Sequence, residues 1–219
     1  VAEGTALLRW ISVLGRNVAD MDALKGKRVG VARGTGSETF WLSVVSRLNL
    51  NPADYTIVNV EAPEMVAALE RGNIDAFAVW EPWPTRALRA IPNTRILLSN
   101  EQIQIVRNFI YMNRGWAEAN AEATARFMRS LIQAQEFIAA NPAEAAQQVS
   151  RFLRLDRALV AELMTKVEYR MNLTPDSVAN IQLAIDQLRG MNRLSRDVTP
   201  AQVIWTAPLA GVAGDRVRL

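Results

Sequence analysis

The stretch Ile74-Asp75-Ala76-Phe77-Ala78-Val79-Trp80-Glu81-Pro82-Trp83 decides the fold of this chain, together with the helix predicted just before it. Residues 74–79 form a short apolar run, which is typical of a buried strand. Pro63 suits a first helical position, and Gly72 can adopt the left-handed conformation that ends a helix. The predicted strand therefore ends in two indoles and a carboxylate, at the edge where open α/β sheets bind their ligands.

Similar elements precede this stretch. Residues 28–32 predict a buried strand, residues 40–48 an amphipathic helix and residues 55–60 a half-exposed strand. The repeated strand-helix-strand order predicts an α/β fold with parallel pairing and right-handed crossovers. From Ala117 onward the apolar spacing predicts helices, with further helix starts at Pro142, Asp156, Pro175 and Pro200.

The loop after the first of these strands reads Arg33-Gly34-Thr35-Gly36-Ser37-Glu38. Thr35 and Glu38 fit a capping box, with Thr35 as the N-cap. A helix start offers N–H groups and a partial positive charge, which suit an anionic oxygen of a ligand, and Ser37 adds a hydroxyl donor. Neither a dinucleotide fingerprint nor a P-loop fits, because Thr39 replaces the required glycine and no Gly-Lys-Ser/Thr follows. An ordinary structural turn is the alternative.

Composition excludes several function classes. The 219 residues, half of them apolar, suffice for a large core and one or two domains. No run approaches 18 apolar residues, and no basic and apolar leader is present, so we expect no membrane span and a signal peptide already removed. Because the sequence contains no cysteine and no histidine, disulfides, thiol nucleophiles and imidazole chemistry are excluded. We expect no metal and no cofactor.

The charge pattern does not favour nucleic acid. The 25 basic residues are interspersed with 22 acidic ones, and no basic block of five or six occurs. Only Lys25, Lys27 and Lys166 are lysines, which we interpret as a bias of composition toward arginine. Phosphate recognition needs clustered basic residues, so we expect no nucleic-acid partner.

Several motifs occur in the order and spacing of one known family. They are Leu24-Lys25-Gly26-Lys27-Arg28-Val29-Gly30-Val31, Gly34-Thr35-Gly36-Ser37, Pro63-Glu64-Met65-Val66-Ala67-Ala68-Leu69, Gly72-Asn73-Ile74-Asp75-Ala76, Trp80-Glu81-Pro82-Trp83 and, more loosely, Ala139-Ala140-Asn141-Pro142-Ala143-Glu144-Ala145-Ala146. Together they resemble the nitrate/sulfonate/taurine family of solute-binding proteins, the receptors of ABC importers, which includes thiamine-precursor (NMT1-like) members. The chain departs from that family in lacking its opening βαβ units.

The resemblance implies the periplasmic binding protein type II architecture, with two lobes that each contain a mainly parallel sheet flanked by helices. Lobe one would comprise residues 1–27 and 106–219, without its N-terminal units, and lobe two residues 28–105. Residues 6–14 are predicted to form one strand of lobe one. Residues 104–112 would cross back between the lobes as a hinge strand that lines the cleft, and crossing strands permit hinge closure.

The resemblance and the residue chemistry together define a predicted ligand-binding set. Its members are Gly34, Thr35, Gly36, Ser37, Trp80, Glu81, Arg107, Asn108 and Thr5. The glycine-rich loop would hold the anionic end of the ligand, Trp80 would stack on it, and Glu81 and Arg107 would set the charge preference. Thr5 follows Gly4 in a loop like the small-residue turn of the family's first lobe.

Each of these assignments has a structural alternative. Trp80 suits ordinary core packing, Glu81 suits an acid at a helix start, and Arg107 suits an ion pair between strands or lobes. Thr5 lies close enough to the chain start to belong to a frayed terminus. Tyr169 and Arg170 are predicted near a helix end, and the sequence does not decide whether they reach the cleft.

The resemblance implies the substrate-binding component of an ABC importer, monomeric, and periplasmic or lipid-anchored outside the cytoplasm. It would capture a small anionic or zwitterionic solute, such as a sulfonate, taurine, nitrate or a heterocyclic precursor, and present it to the importer's membrane permease. A ligand-sensing domain of a regulator is the alternative. An enzyme of the pyrimidine-precursor or sulfinate-desulfinase type is less favoured, because such members use histidine or cysteine chemistry.

Overall fold

The computed structural model of the chain describes residues 2–190 and 192–219. It divides into two compact units. The first unit contains the segment that ends at Leu7 and the segment Val106–Leu219, and the second unit contains Leu8–Ile105. Residues 8–27 therefore cluster with the second unit, whereas the sequence-based boundary assigned them to lobe one.

Strands and helices follow one another along both units. The strands are β1 Ala2–Leu7, β2 Ile11–Arg16, β3 Arg28–Val31, β4 Thr56–Asn59, β5 Ala76–Trp80, β6 Thr94–Ser99, β7 Val106–Ile110 and β8 Val167–Asn172. The helices are α1 Gly36–Arg47, α2 Met65–Glu70, α3 Trp83–Ala90, α4 Asn100–Ile103, α5 Arg114–Ala119, α6 Ala121–Ala140, α7 Pro142–Leu153, α8 Arg157–Met164, α9 Pro175–Gly190, α10 Pro200–Val203 and α11 Ala207–Ala210.

The second unit is built on a five-stranded sheet of order β4-β3-β5-β2-β6. β3 pairs in parallel with β4 and β5, which confirms the pairing predicted from the strand-helix-strand order. β2 pairs antiparallel with β5 and β6. The prediction of one strand over residues 6–14 is wrong, because β1 ends at Leu7 and β2, which starts at Ile11, belongs to the other sheet.

The core of the second unit surrounds β5. Phe77 is fully buried and clusters with Leu69 of α2 and with Ile74. Gly72, just after α2, has a φ of +73°, as predicted for the residue that ends this helix. A Cβ at Gly30 of β3 would lie 2.7 Å from Ile74 Cδ1, so the two segments approach closely here and a side chain at this position would displace the end of Ile74.

The first unit is built on a three-stranded sheet of order β7-β1-β8, and both of its pairings are antiparallel. The α/β class is confirmed, but this sheet is not the mainly parallel one that was expected. The chain leaves the sheet at Leu7 and re-enters it at Val106, and β1 and β7 run in opposite directions. β8 lies where helix was predicted, although Val167, Tyr169 and Met171 alternate with polar residues as in a half-buried strand.

The helices of the first unit begin where their sequence signals lie. α7 and α9 begin at the predicted prolines, Pro142 and Pro175. Asp156 is the N-cap of α8, and its carboxylate accepts a hydrogen bond of 2.8 Å from Leu159 N–H. Among the described residues, none of the helices combines the length and the apolar character that crossing a membrane requires.

A buried ion pair joins the strands of the first unit. Glu3 of β1 is fully buried, and its carboxylate accepts from Arg107 Nη1 of β7 at 2.6 Å and from Ser177 Oγ of α9 at 2.6 Å. The Arg107 side chain is 8% exposed, and Arg170 Nη1 of β8 lies 3.6 Å from the same carboxylate. Arg107 Nη2 also lies 3.5 Å from Asp176. Because both groups of the pair are buried, removing either one leaves the other without its nearest counter-charge.

Breaking this pair should destabilise the protein strongly. Arg107→Leu should lower the free energy of unfolding by about 3 kcal/mol, because it leaves the buried Glu3 without its main counter-charge. Arg126→Leu is the matched control, since Arg126 pairs with Glu122 at 3.1 Å on an exposed helix face and should cost less than about 0.5 kcal/mol. Urea unfolding followed by circular dichroism measures both. If both variants lost the same small amount of unfolding free energy, this would contradict a buried Glu3–Arg107 ion pair.

A second ion pair predicts a pH dependence. Asp75 accepts hydrogen bonds from Arg28 Nε at 3.0 Å, Nη2 at 2.9 Å and N–H at 2.9 Å, and these bonds hold the pKa of Asp75 below its usual value. The stabilisation is fully present above the unfolded-state pKa of about 3.9 and is lost as the pH falls through the lower folded-state pKa.

Asp75→Asn should therefore be destabilising at pH 7, and the difference in unfolding free energy from the parent chain should narrow below about pH 4. Urea titrations of both proteins at pH 7, 4 and 3 measure that difference. Asp22→Asn serves as control, because the Asp22 side chain is 91% exposed and lies 3.7 Å from Lys25. If the difference in unfolding free energy between Asp75→Asn and the parent chain stayed constant with pH, the proposed link between the ionisation of Asp75 and stability would be contradicted.

Candidate functional site

The loop between β3 and α1 has the capping geometry that its sequence predicts. Thr35 is the N-cap of α1, and its Oγ1 accepts a hydrogen bond from Ser37 N–H at 3.2 Å. Glu38 reaches back as expected, but Oε2 accepts from Gly34 N–H at 2.9 Å, one residue before the N-cap. Gly34 has a φ of +75°, which explains the glycine at this position.

Ser37 has a structural role in this loop. It is fully buried, its Oγ accepts from Ala32 N–H at 2.9 Å, and its hydroxyl donates to Ala78 O of β5. Both hydrogen-bonding functions of the hydroxyl thus join α1 to the sheet, so Ser37 is not the additional ligand donor that was expected.

Gly36 is the position in this loop that is open to a ligand. It is exposed at the first turn of α1, and a Cβ added there would meet no atom within 4 Å. None of the hydrogen bonds among residues 2–190 and 192–219 uses its N–H group. The N-terminus of α1 therefore keeps a free donor and the partial positive charge of the helix.

The Trp80-Glu81 turn makes most of its contacts within the second unit. Glu81 is 2% exposed, and its carboxylate accepts from Thr85 N–H at 3.2 Å and Thr85 Oγ1 at 3.0 Å. These bonds favour the helix-start alternative over a contact with a ligand cation. Trp80 is half-buried against the core around Phe77, and the guanidinium of Arg86 lies over the ring of Trp83 at 4.9 Å. Part of the Trp80 indole remains accessible for stacking.

Arg107 and Asn108 are neighbours in β7 but serve opposite faces of the sheet. Arg107 is paired with Glu3, so the interstrand ion pair is favoured over a ligand contact. Asn108 Nδ2 donates to Thr5 Oγ1 at 3.1 Å on the other face. Alternation along a strand requires this separation, since successive side chains point to opposite faces.

A bulge in β1 brings Thr5 to the same face as Asn108. The register shifts between Glu3 and Thr5, so that Glu3 pairs with Phe109 and Thr5 pairs with Asn108. Gly4 is the extra residue. In a regular strand without this bulge, Thr5 would lie on the same face as Glu3, because residues two apart share a face.

Thr5 and Asn108 line a cavity of about 410 Å³ that lies entirely within the first unit. It is bounded by the β7-β1-β8 sheet on one side and by α6 on the other. Tyr169 of β8 pairs with Thr5 and extends the polar row, so Asn108, Thr5 and Tyr169 lie side by side on three strands. The remaining lining residues are Gly4, Phe109, Ile110, Leu131, Ala134, Gln135, Ile138, Arg170 and Met171.

The polar row can donate hydrogen bonds into this mainly apolar cavity. Asn108 Nδ2 gives one hydrogen to Thr5 and retains the other. Burial raises the pKa of the Tyr169 phenol, so the hydroxyl stays protonated and can act as a donor at neutral pH. None of the lining residues is Asp or Glu. The cavity therefore suits a molecule with an apolar body and a group of acceptor oxygens.

The structure brings together only part of the predicted ligand-binding set. Thr5 and Asn108 share the cavity in the first unit, and Gly34, Thr35, Gly36, Ser37, Trp80 and Glu81 belong to the second unit. Tyr169, which was expected near a helix end, lies in β8. Among residues 2–190 and 192–219, no group of three or more acidic side chains is arranged to hold a metal ion.

Comparison with known proteins identifies relatives of this chain. The model of the NMT1-like family matches residues 5–153. The chain is 25% identical over 167 residues to a predicted aliphatic sulfonates-binding protein of Bacillus subtilis, and 26% identical over 171 residues to the taurine-binding periplasmic protein of Escherichia coli. These alignments cover 75% and 74% of this chain but 50% and 52% of the relatives. The chain thus spans about half the length of these curated relatives.

Solved structures support the same fold. The crystal structure of the periplasmic aliphatic sulphonate binding protein SsuA from Escherichia coli has a TM-score of 0.78 at 18% identity, over 94% of this chain and 74% of that one. The crystal structure of the desulfurization enzyme DszB has a TM-score of 0.72 at 14% identity, over 98% of this chain and 79% of that one. These similarities show the periplasmic binding protein type II fold. Because the NMT1-like family model spans residues 5–153 of the 219, this chain belongs to the NMT1-like family.

Proposed function

We propose that this chain is a substrate-binding component of an ABC importer that captures a small organic sulfonate or a related anion. The observation that supports this best is the cavity of about 410 Å³ in the first unit, with the donors of Asn108, Thr5 and Tyr169 in one row. Cavities of this size suit small organic molecules. The sulfonate- and taurine-binding relatives favour the same class of solute.

The polar row would bind the acceptor oxygens of the ligand. The free Nδ2 hydrogen of Asn108 and the hydroxyls of Thr5 and Tyr169 provide up to three hydrogen bonds, and hydrogen bonds to an ionised group contribute more than neutral ones. Leu131 and Ile138 of α6 would cover the carbon chain. A sulfonate attached to an alkyl or aryl group satisfies both parts of the cavity.

The same lining disfavours a ligand with an ammonium group. No carboxylate lines the cavity, and Glu81, which was expected to receive such a group, is buried at the start of α3. An unpaired ammonium loses its hydration without compensation. Within the proposed class we therefore expect alkanesulfonates to bind better than taurine. The predicted contacts of Gly34, Thr35, Gly36 and Trp80 with the ligand remain predictions.

The proposed partner is the membrane permease of the importer, which would recognise the loaded receptor. We propose a monomer in the periplasm, or attached by a lipid anchor outside the cytoplasm, that needs no cofactor. Binding without turnover agrees with the chemistry of the chain, because no thiol and no imidazole is present in the sequence to act as nucleophile or base.

A thermal-shift series tests the ligand class. Ethane-, butane- and octanesulfonate should raise the melting temperature, because a ligand at about 100 times its Kd adds roughly 2.7 kcal/mol of stability. For a chain of this size that corresponds to several degrees. Taurine should give a smaller shift. No shift with any sulfonate, in protein that melts cooperatively, would contradict the proposed function.

A matched pair of tyrosine variants tests the site. Tyr169→Phe removes one donor and should weaken sulfonate binding at least about tenfold, measured by titration calorimetry, since a hydrogen bond to a charged group contributes about 1.5–3 kcal/mol. Tyr111→Phe is the control, because Tyr111 is 82% exposed and does not line the cavity. If both variants bind like the parent chain, the ligand does not occupy this cavity.

A further inference from the structure

The turn between α7 and α8, residues 151–157, exposes apolar side chains that the proposed function does not use. Phe152 is 86% exposed, more than any other large apolar side chain of the described residues, and the adjacent Leu153 is 52% exposed. Exposed single apolar residues are common. Two adjacent ones at the tip of a helical hairpin form a small apolar surface that calls for an explanation.

The turn is held in a defined conformation. Arg154 adopts the left-handed conformation with a φ of 54° and ends α7. Leu155 N–H donates to Ser150 O at 3.1 Å, and Ser150 Oγ donates to Leu155 O at 2.6 Å. Asp156 then caps α8. Because these bonds close the turn, Phe152 is exposed on a preformed surface, and binding would require little ordering of the backbone.

The same turn is positively charged. Arg151, Arg154 and Arg157 are all exposed, and none of them forms an ion pair or a side-chain hydrogen bond with any other residue of the ranges 2–190 and 192–219. The one acid among residues 151–157 is Asp156, whose carboxylate already accepts the Leu159 N–H. The turn thus combines an apolar tip with three guanidinium groups that lack partners.

This combination of shape and charge fits an anionic bilayer better than a protein surface. A protruding phenyl group needs a matching pocket on a protein, but the boundary between headgroups and acyl chains accepts it directly. Arginines beside it can extend toward lipid phosphates while their stems stay in apolar contact. We propose that the 151–157 turn docks on an anionic lipid surface, with Phe152 and Leu153 entering the headgroup boundary.

The contact would be weak and reversible. Each arginine near an anionic surface contributes about 1 kcal/mol, which is roughly a fivefold increase in binding per residue. One phenyl and one leucyl group do not anchor a protein permanently. Such a contact would keep the chain close to a membrane without holding it there, and it is independent of which solute the first unit binds.

Vesicle co-sedimentation of the full 219-residue chain tests this inference. The chain should bind vesicles of phosphatidylglycerol and phosphatidylcholine at low ionic strength, and should bind pure phosphatidylcholine vesicles at least tenfold less. The triple variant Arg151→Gln, Arg154→Gln, Arg157→Gln should lose about 100-fold in binding to the anionic vesicles. Phe152→Ser should lose about tenfold. All four positions are exposed, so the fold should be retained.

Matched controls separate the turn from overall charge. Arg47→Gln, Arg71→Gln, Arg95→Gln removes three exposed arginines from the second unit, and Tyr111→Ser removes an aromatic side chain that is 82% exposed. Both controls should bind vesicles within about threefold of the parent chain. Equal losses in the controls and in the turn variants would overturn the inference, as would the absence of binding to anionic vesicles. If Phe152→Ser reduced self-association of the chain, and the parent chain did not bind vesicles, the turn would be assigned to a protein contact instead.

Discussion

The buried carboxylate of Glu3 is the constraint on which the first unit depends. Its partners Arg107 and Ser177 come from segments more than 100 residues farther along the chain. A charge with no exposure has no water to compensate it, so the strands must keep the register in which those donors reach it. The pair contributes specificity of register in addition to any net stability.

The cavity depends on the same register. Because Arg107 faces Glu3, its neighbour Asn108 must face the opposite side of the sheet, and the bulge at Gly4 brings Thr5 there too. Tyr169 and Arg170 are successive residues of β8 that both line the cavity, and the guanidinium of Arg170 also lies 3.6 Å from the Glu3 carboxylate. A charged face and a donor-bearing face thus arise from one set of strand pairings. The charged face fixes the register, and the other face presents the donors that would bind a solute.

The second unit illustrates how binding-type motifs also serve the scaffold. Ser37 and Glu81 have the chemistry of ligand contacts, but each uses its polar atoms within the unit. Ser37 joins α1 to β5 and to Ala32, which follows β3, and Glu81 bonds Thr85 in the first turn of α3. Buried polar groups must be paired, and at both positions the nearest partners belong to the backbone or to the next helical turn. Gly36, which has no side chain to occupy the space, leaves the helix start open.

The sequence by itself determined the features that depend on nearby residues. Local patterns predict the parallel strands β3, β4 and β5, the cap at Thr35, the left-handed Gly72 and the helix starts at Pro142, Asp156 and Pro175. These features can be recognised in the sequence because periodicity and capping act over a few residues. The tertiary structure decided the assignment of β2 to the second unit, the strand β8, the Glu3–Arg107 pair and the row of Asn108, Thr5 and Tyr169. Those features arise from pairings between segments far apart in sequence, and a strand's pattern does not specify its partner or its register.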